Sequence, residues 1–376
     1  MTLIVSQPNL VGGKDYGPTK AQWKQIYSLI FLEVAVIISW IAYHNYQIDL
    51  LKTFELTSLT IEILSIQAVI LLLTPPIAGH LADKLRRSGK DRLPLIKLGI
   101  NLVAMVFMAA ALTIFTEPGG TLRFILPVLI VFWLILMNVF YSPAIATIEL
   151  FVPSTQLPIA MAVLAIMVDL AQAIEPILAE VINFLGAPLT FATGGILVFA
   201  SGWYFRKTTK EITDNNADAI GEEDLNAAVD KSSFPKVFLY GVVFGICTAL
   251  FFEYFPQAAQ KRTSWEGAEF ISILIAVSAL LAYPISKMVK EGTIKKFAWI
   301  GGSACLALGA LVIYGPEASW VNLAFYLYPV FFSLISVTLL PLAFAQLQPA
   351  YKILGIGLFF SGLELPNSIA KIVQNL

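Results

Sequence analysis

The sequence predicts an all-α polytopic membrane protein: about eleven transmembrane helices in two pseudo-symmetric helical bundles. Three observations lead there. Of the 376 residues, 58% are hydrophobic and only 13% are charged, too little charge for the surface of a soluble protein of this size. Apolar runs of about 20 residues recur throughout, the length an α-helix needs to cross a bilayer. The two halves of the chain also carry matching landmarks in one order. Helices are the form such runs take, because in lipid each backbone N–H and C=O must pair within its own segment. The alternating pattern of barrel strands is not seen.

The runs place the spans at about 22–45, 56–82, 94–115, 122–147, 157–184, 188–206, 236–256, 266–288, 296–314, 319–345 and 352–373. The first run is too long for the apolar core of a signal peptide, and residues 1–20 before it are polar and contain Gly and Pro. Trp23, Trp265 and Trp320 fall at span ends, where amphipathic rings prefer to lie. Basic residues set the orientation. With the N-terminus in the cytoplasm, only Lys52, Arg123, Lys261, Arg262 and Lys371 of the 24 Lys and Arg face outward. The expected home is therefore a bacterial-type inner (cytoplasmic) membrane, with the C-terminus outside after the eleventh span.

The one long polar segment runs from Lys207 to Pro235 and is rich in Asp, Glu and Asn. It reads as an acidic cytoplasmic linker, with a short helix around Gly221–Val229. It divides a six-helix bundle, residues 1–206, from a five-helix bundle, residues 236–376. The landmarks repeat across it. Thr74-Pro75-Pro76-Ile77-Ala78 ends span 2, and Ala282-Tyr283-Pro284-Ile285-Ser286 ends span 8, each before a basic loop. Tyr141-Ser142-Pro143-Ala144 in span 4 is answered by Leu340-Pro341-Leu342-Ala343 in span 10. Paired halves with a substrate site between them are the architecture of many transporters.

The loop after span 2 carries the most specific signal. Gly79-His80-Leu81-Ala82-Asp83-Lys84 leads into a basic run with Arg86 and Arg87. This order resembles the loop between the second and third helices of the major facilitator superfamily. The resemblance implies a gating motif: Gly79 lets two helices approach closely, Asp83 sits at a helix end in a charge relay, and Lys84, Arg86 and Arg87 follow. Tyr141-Ser142-Pro143-Ala144, Glu149-Leu150-Phe151-Val152-Pro153 and Gln156–Ala162 are similar to the branch that holds efflux proteins and lysophospholipid transporters. Two features depart from the efflux pattern. Span 4 lacks a buried Arg, and Ala173–Glu180 replaces a Gly-rich stretch in span 5. A twelfth span is also absent from the pattern read here.

Acids inside apolar runs carry the chemistry. At about 1.5 Å per residue, Glu33, Asp169 and Glu364 lie near the middle of spans 1, 5 and 11. Glu62, Glu175, Glu180 and Glu253 fall in the outer half, with few cations at the same depth. Ionisable groups at bilayer depth face a bundle interior or a wet cavity and mark ion or substrate paths. Desolvation penalises the charged form of a carboxylate, which suits a group that takes up and releases a proton. The expected coupling and substrate residues are Glu33, Asp169, Gln172, Glu175, Glu364 and Asn367. Gln172 shares a helix face with Asp169 and is placed to bond its carboxyl or the substrate. His44 reads as interfacial. The same acids are also compatible with acids held permanently protonated, or with Na⁺ or a divalent cation on oxygen ligands.

The functional expectation is a secondary active transporter, proton-coupled, for a small or amphipathic solute, with membrane lipid around it. A lysolipid flippase and a non-transporting scaffold or assembly factor with a partner protein are the alternatives. Nothing points to an enzyme: there is no phosphate cradle, no His/Cys metal spacing, no cofactor motif, and no basic face for nucleic acid. Cys247 and Cys305 both lie in apolar runs and imply no disulfide framework.

Overall fold

The structure is a computed structural model and describes residues 20–88, 93–117, 119–153, 156–217, 233–263, 265–290 and 292–375. The expected short helix at 221–229 lies outside the described residues. All regular structure within them is helical. In chain order the helices are α1 (Trp23–Thr53), α2 (Thr60–Arg87), α3 (Leu93–Thr116), α4 (Ile125–Ile145), α5 (Leu157–Ala173), α6 (Glu175–Leu185) and α7 (Ala187–Ala217). There follow α8 (Ser233–Ala249), α9 (Phe255–Arg262), α10 (Gly267–Met288), α11 (Ile294–Tyr314), α12 (Leu323–Gln346) and α13 (Lys352–Gln374).

Among the described residues, nine helical segments are long and apolar enough to cross a membrane, and ten when α5 and α6 count as one broken span. α7, read from sequence as span 6, is less apolar and is not among these, but it packs between α1 and α3. It continues helical to Ala217, into the segment read from sequence as linker.

Two spans are broken where proline removes a backbone donor. Span 5 bends by 55° between α5 and α6. Pro176 stands in the first turn of α6 and cannot bond the carbonyl four residues back, so the axis turns there. In span 7 the residues Leu250–Tyr254 form a π turn between α8 and α9, with Pro256 two residues after it. A π turn inserts an extra residue per turn and re-aims the side chains on it. The aromatics here divide as span geometry requires. Phe251, Phe255, Phe325 and Tyr328 are fully buried in the second bundle, in edge-to-face and tilted pairs such as Phe255–Tyr328 at 4.6 Å.

The two bundles meet along two seams, α2 on α13 and α5 on α10. Advancing six spans turns α2 into α10 and α5 into α13, so the seams are one contact used twice, as a two-fold axis demands. At the first seam the backbones touch. A Cβ on Gly79 would overlap the carbonyl of Ile353, and one on Gly357 would overlap the carbonyl of Pro75. The same seam repairs a fault in α2. Pro76 has no N–H to give the Leu72 carbonyl, and Ser361 Oγ on α13 donates to that oxygen at 2.6 Å. Ser361→Ala leaves the carbonyl unpaired and is expected to cost about 1–3 kcal/mol. A fall in the thermal unfolding midpoint of the purified protein measures it; an unchanged midpoint refutes the role.

Candidate functional site

At one end of the seam the bundles are bolted together. Asp83 ends the long apolar part of α2, and its carboxylate accepts from the backbone N–H of Ile353 at 3.3 Å and of Leu354 at 2.8 Å. These are among the first N–H groups of α13, which have no partner within their own helix. Asp83 therefore caps α13 from the other bundle, and its negative charge faces the positive end of that helix. Arg87 donates to the Tyr351 hydroxyl at 2.9 Å and lies 4.6 Å over its ring. Lys352 pairs with Glu149 at 2.6 Å, both largely buried. Arg86 is engaged by the charges of Asp83 and Glu149. Of the five residues read as a gating motif, Gly79, Asp83, Arg86 and Arg87 sit at this seam. Lys84 is exposed. Glu149, Tyr351 and Lys352 complete the lock and were not singled out from sequence, because their partners lie far away in the chain.

Above the lock the bundles part around a cavity of about 670 Å³. It extends to the opposite helix ends, where Gln47, Thr60 and Asn375 line it. Glu33, Asp169, Gln172, Glu175, Glu364 and Asn367 all line this one cavity. Their helices explain the convergence. Glu33 is ten residues into α1, Asp169 twelve into α5 and Glu364 twelve into α13. All three helices start on the locked side, so the acids lie at about 15–18 Å along them, a common depth.

The three differ in surroundings. Glu33 is 1% exposed and is hydrogen-bonded by the Tyr141 hydroxyl. Asp169 is 6% exposed, and its Oδ2 has no partner among the described residues. The expected Gln172 bond to it is not made; Gln172 faces the cavity instead. Glu364 is half-buried, and Asn367 Nδ2 bonds back to the Leu363 carbonyl.

Toward the open end stands a cation. Lys371, read from sequence as an outer-side charge, lines the cavity with Nζ 3.1 Å from His44 Nε2 and 3.8 Å from Glu253. Glu175 and Glu364 also feel its charge. His44 thus lines the cavity and bridges the bundles. The π turn at Leu250–Tyr254 brings Glu253 and Phe252 to the wall. Trp40, Phe244, Phe332 and Phe360 give the wall its apolar faces. Tyr141 and Phe360 meet across the bundles edge-on at 4.9 Å. No group of three or more His, Cys, Asp or Glu among the described residues is arranged to hold a metal ion.

The family model described as Major Facilitator Superfamily matches residues 26–370. Comparison with curated proteins finds no match. Among solved structures, the chain is similar to the human organic anion transporter MFSD10 (TETRAN), at 14% identity and a TM-score of 0.62, over 95% of this chain and 93% of that one. It is also similar to a bacterial homologue of the iron transporter ferroportin in its outward-facing state with soaked iron, at 16% identity and a TM-score of 0.60, over 93% and 90%. At these identities the likeness is one of fold.

Proposed function

The chain belongs to the major facilitator superfamily, and on that premise we propose that it is a proton-coupled secondary active transporter that moves a small or amphipathic solute by alternating access. One observation carries the reading: a cavity of about 670 Å³ between the bundles, shut at one end by the Asp83 lock and lined to the other end by polar residues. The volume lies in the range of small-molecule sites. With the basic loops in the cytoplasm, the lock is cytoplasmic and the cavity faces outward. Transport follows when residues 1–206 and 236–376 rock about the seams. The Asp83, Arg87 and Lys352 contacts break, and equivalent closure forms at the His44–Lys371–Glu253 end.

The acids supply the coupling. Glu33, Asp169 and Glu364 sit at the depth that both faces reach in turn, so a proton taken on one side leaves on the other. Proton load and solute load then bias the same two conformations, which is what linkage requires.

The test is reconstitution in vesicles holding a pH-sensitive dye, with a panel of lysolipids, sugars, amino acids, siderophores and drugs. The expected result is proton movement triggered by at least one solute and abolished by a protonophore. Solute movement indifferent to any proton gradient removes the coupling. Lysolipid scrambling without a gradient makes the protein a flippase. Movement of nothing, with stable capture of a partner protein, makes it a scaffold.

A further inference from the structure

We infer that the solute accepted by this cavity is an organic cation, a single positive charge on an apolar body of aromatic size. The inference rests on the transporter reading of the same cavity and adds the sign of the substrate's charge.

The wall carries five carboxyl groups, Glu33 on α1, Asp169 on α5, Glu175 on α6, Glu253 on the π turn and Glu364 on α13. Against them stand one amine, Lys371, and one imidazole, His44. Lys371 is already engaged. Its Nζ is 3.1 Å from His44 and 3.8 Å from Glu253, and it answers Glu175 and Glu364 as well. Among the described residues no second cationic side chain lines the cavity to receive an anion.

Asp169 is the group without an answer. It is 6% exposed, it lines the cavity, and Oδ2 accepts no hydrogen bond from the described residues. The side chains on α5 that share the wall with it are Met161, Leu164, Ala165, Val168 and Gln172; only Gln172 carries a donor, and Oδ2 accepts no bond from it. A buried acceptor without a donor is costly, and the cost is recovered when a ligand supplies one. A protonated amine does so with charge assistance, and a quaternary cation, which has no N–H, still gains the ionic attraction. An anion placed there meets like charge at low dielectric.

The rest of the wall suits the other end of such a molecule. Trp40, Phe244, Phe252, Phe332 and Phe360 offer ring faces to an apolar body, and ring faces attract cations. A polyol finds few partners on them.

The probes are tetraphenylphosphonium and tetraphenylborate, which share shape and differ in the sign of charge. Binding to the full-length protein, purified in detergent, is measured by thermal stabilisation and by equilibrium binding, with a monodisperse elution profile as the check on folding. The expected result is stabilisation by the phosphonium and none by the borate. Asp169→Asn, and separately Glu364→Gln, weaken phosphonium binding by about tenfold or more, the scale of a lost close ionic attraction, since this probe has no hydrogen-bond donor. Acidification of wild type weakens it too, because the probe keeps its charge while the wall loses its own; Asp169→Asn flattens that pH profile. Equal or tighter binding of the borate, binding of neither ion, or unchanged phosphonium affinity in both folded variants overturns the inference. Because binding is read without transport, the two claims separate. Phosphonium binding with no solute-driven proton movement removes the transporter reading and leaves the cation site; proton movement driven only by anions or sugars does the reverse.

Discussion

Gly79→Val is expected to hold the protein open on the Asp83 side and to reduce transport by tenfold or more, on the order of what a 1–3 kcal/mol shift does to a two-state equilibrium. A Cβ at this position falls on the Ile353 carbonyl and beside the Leu354 Cα. Both are backbone atoms of a helix and cannot swing aside as a side chain does. Overpacking of this kind costs about 1–3 kcal/mol even where neighbours yield. The cost applies only while α2 lies on α13, so it is levied on the locked conformation alone. Asp83 then loses its hold on the Ile353 and Leu354 N–H groups. The reporter is Ala82→Cys, a position fully buried in the same seam. In the otherwise native chain it resists an impermeant maleimide; with Gly79→Val it is labelled. Gly357→Val does the same from the other helix, since its Cβ meets Pro75 and Pro76. Gly119→Val, at a position with open space around it, has no effect. Continued protection of Ala82→Cys beside an unimpaired Gly79→Val would falsify the lock.

Glu33→Gln is expected to abolish solute accumulation driven by a proton gradient while sparing exchange of solute for solute; Asp169→Asn abolishes accumulation too and, for a cationic solute, weakens exchange as well. Each amide keeps the size of the acid and its neutral form, but it can neither release a proton nor present a negative charge. Glu33 is hydrogen-bonded by Tyr141, and a Gln there still offers that hydroxyl an acceptor, so the local packing stays. Asp169 Oδ2 has no hydrogen-bond partner among the described residues, and an amide there breaks no bond seen among them. Loss of accumulation with retained counterflow therefore reports coupling rather than misfolding. Tyr141→Phe is milder, removing one hydrogen bond worth about 0.5–1.5 kcal/mol. Full gradient-driven accumulation in both acid variants would return these groups to a structural role.

Much of this was readable in the chain because its cause is local. Apolar runs of bilayer length mark the spans. Depth along a helix is arithmetic, so Glu33, Asp169 and Glu364 could be put at one level before any packing was known. Gly79 and Asp83 stood out by their spacing before a basic run. The prolines were visible too, but not their consequences. Pro176 produced a 55° break and Pro256 followed a π turn, because the response of a helix to a missing donor depends on what supports it. Ser361 gives no signal at all until α13 lies beside Leu72.

The cations show the division most clearly. Lys371 is an outer-side charge on the topology expected from sequence, yet topology says nothing of which way a side chain turns round its helix. Packing α13 against α2, α8 and the π turn put it between His44 and Glu253, and so joined two bundles at the open end. By itself the sequence determined the medium, the order of the apolar helices, and how far along its helix each acid lies, since all of these follow from hydrophobicity and a fixed rise per residue. Only the tertiary structure decided which end is shut, which acid is left without a donor, and which helix each charge faces. Those depend on rotation and contact between segments far apart in the chain, and the energies that settle them arise only when the segments meet.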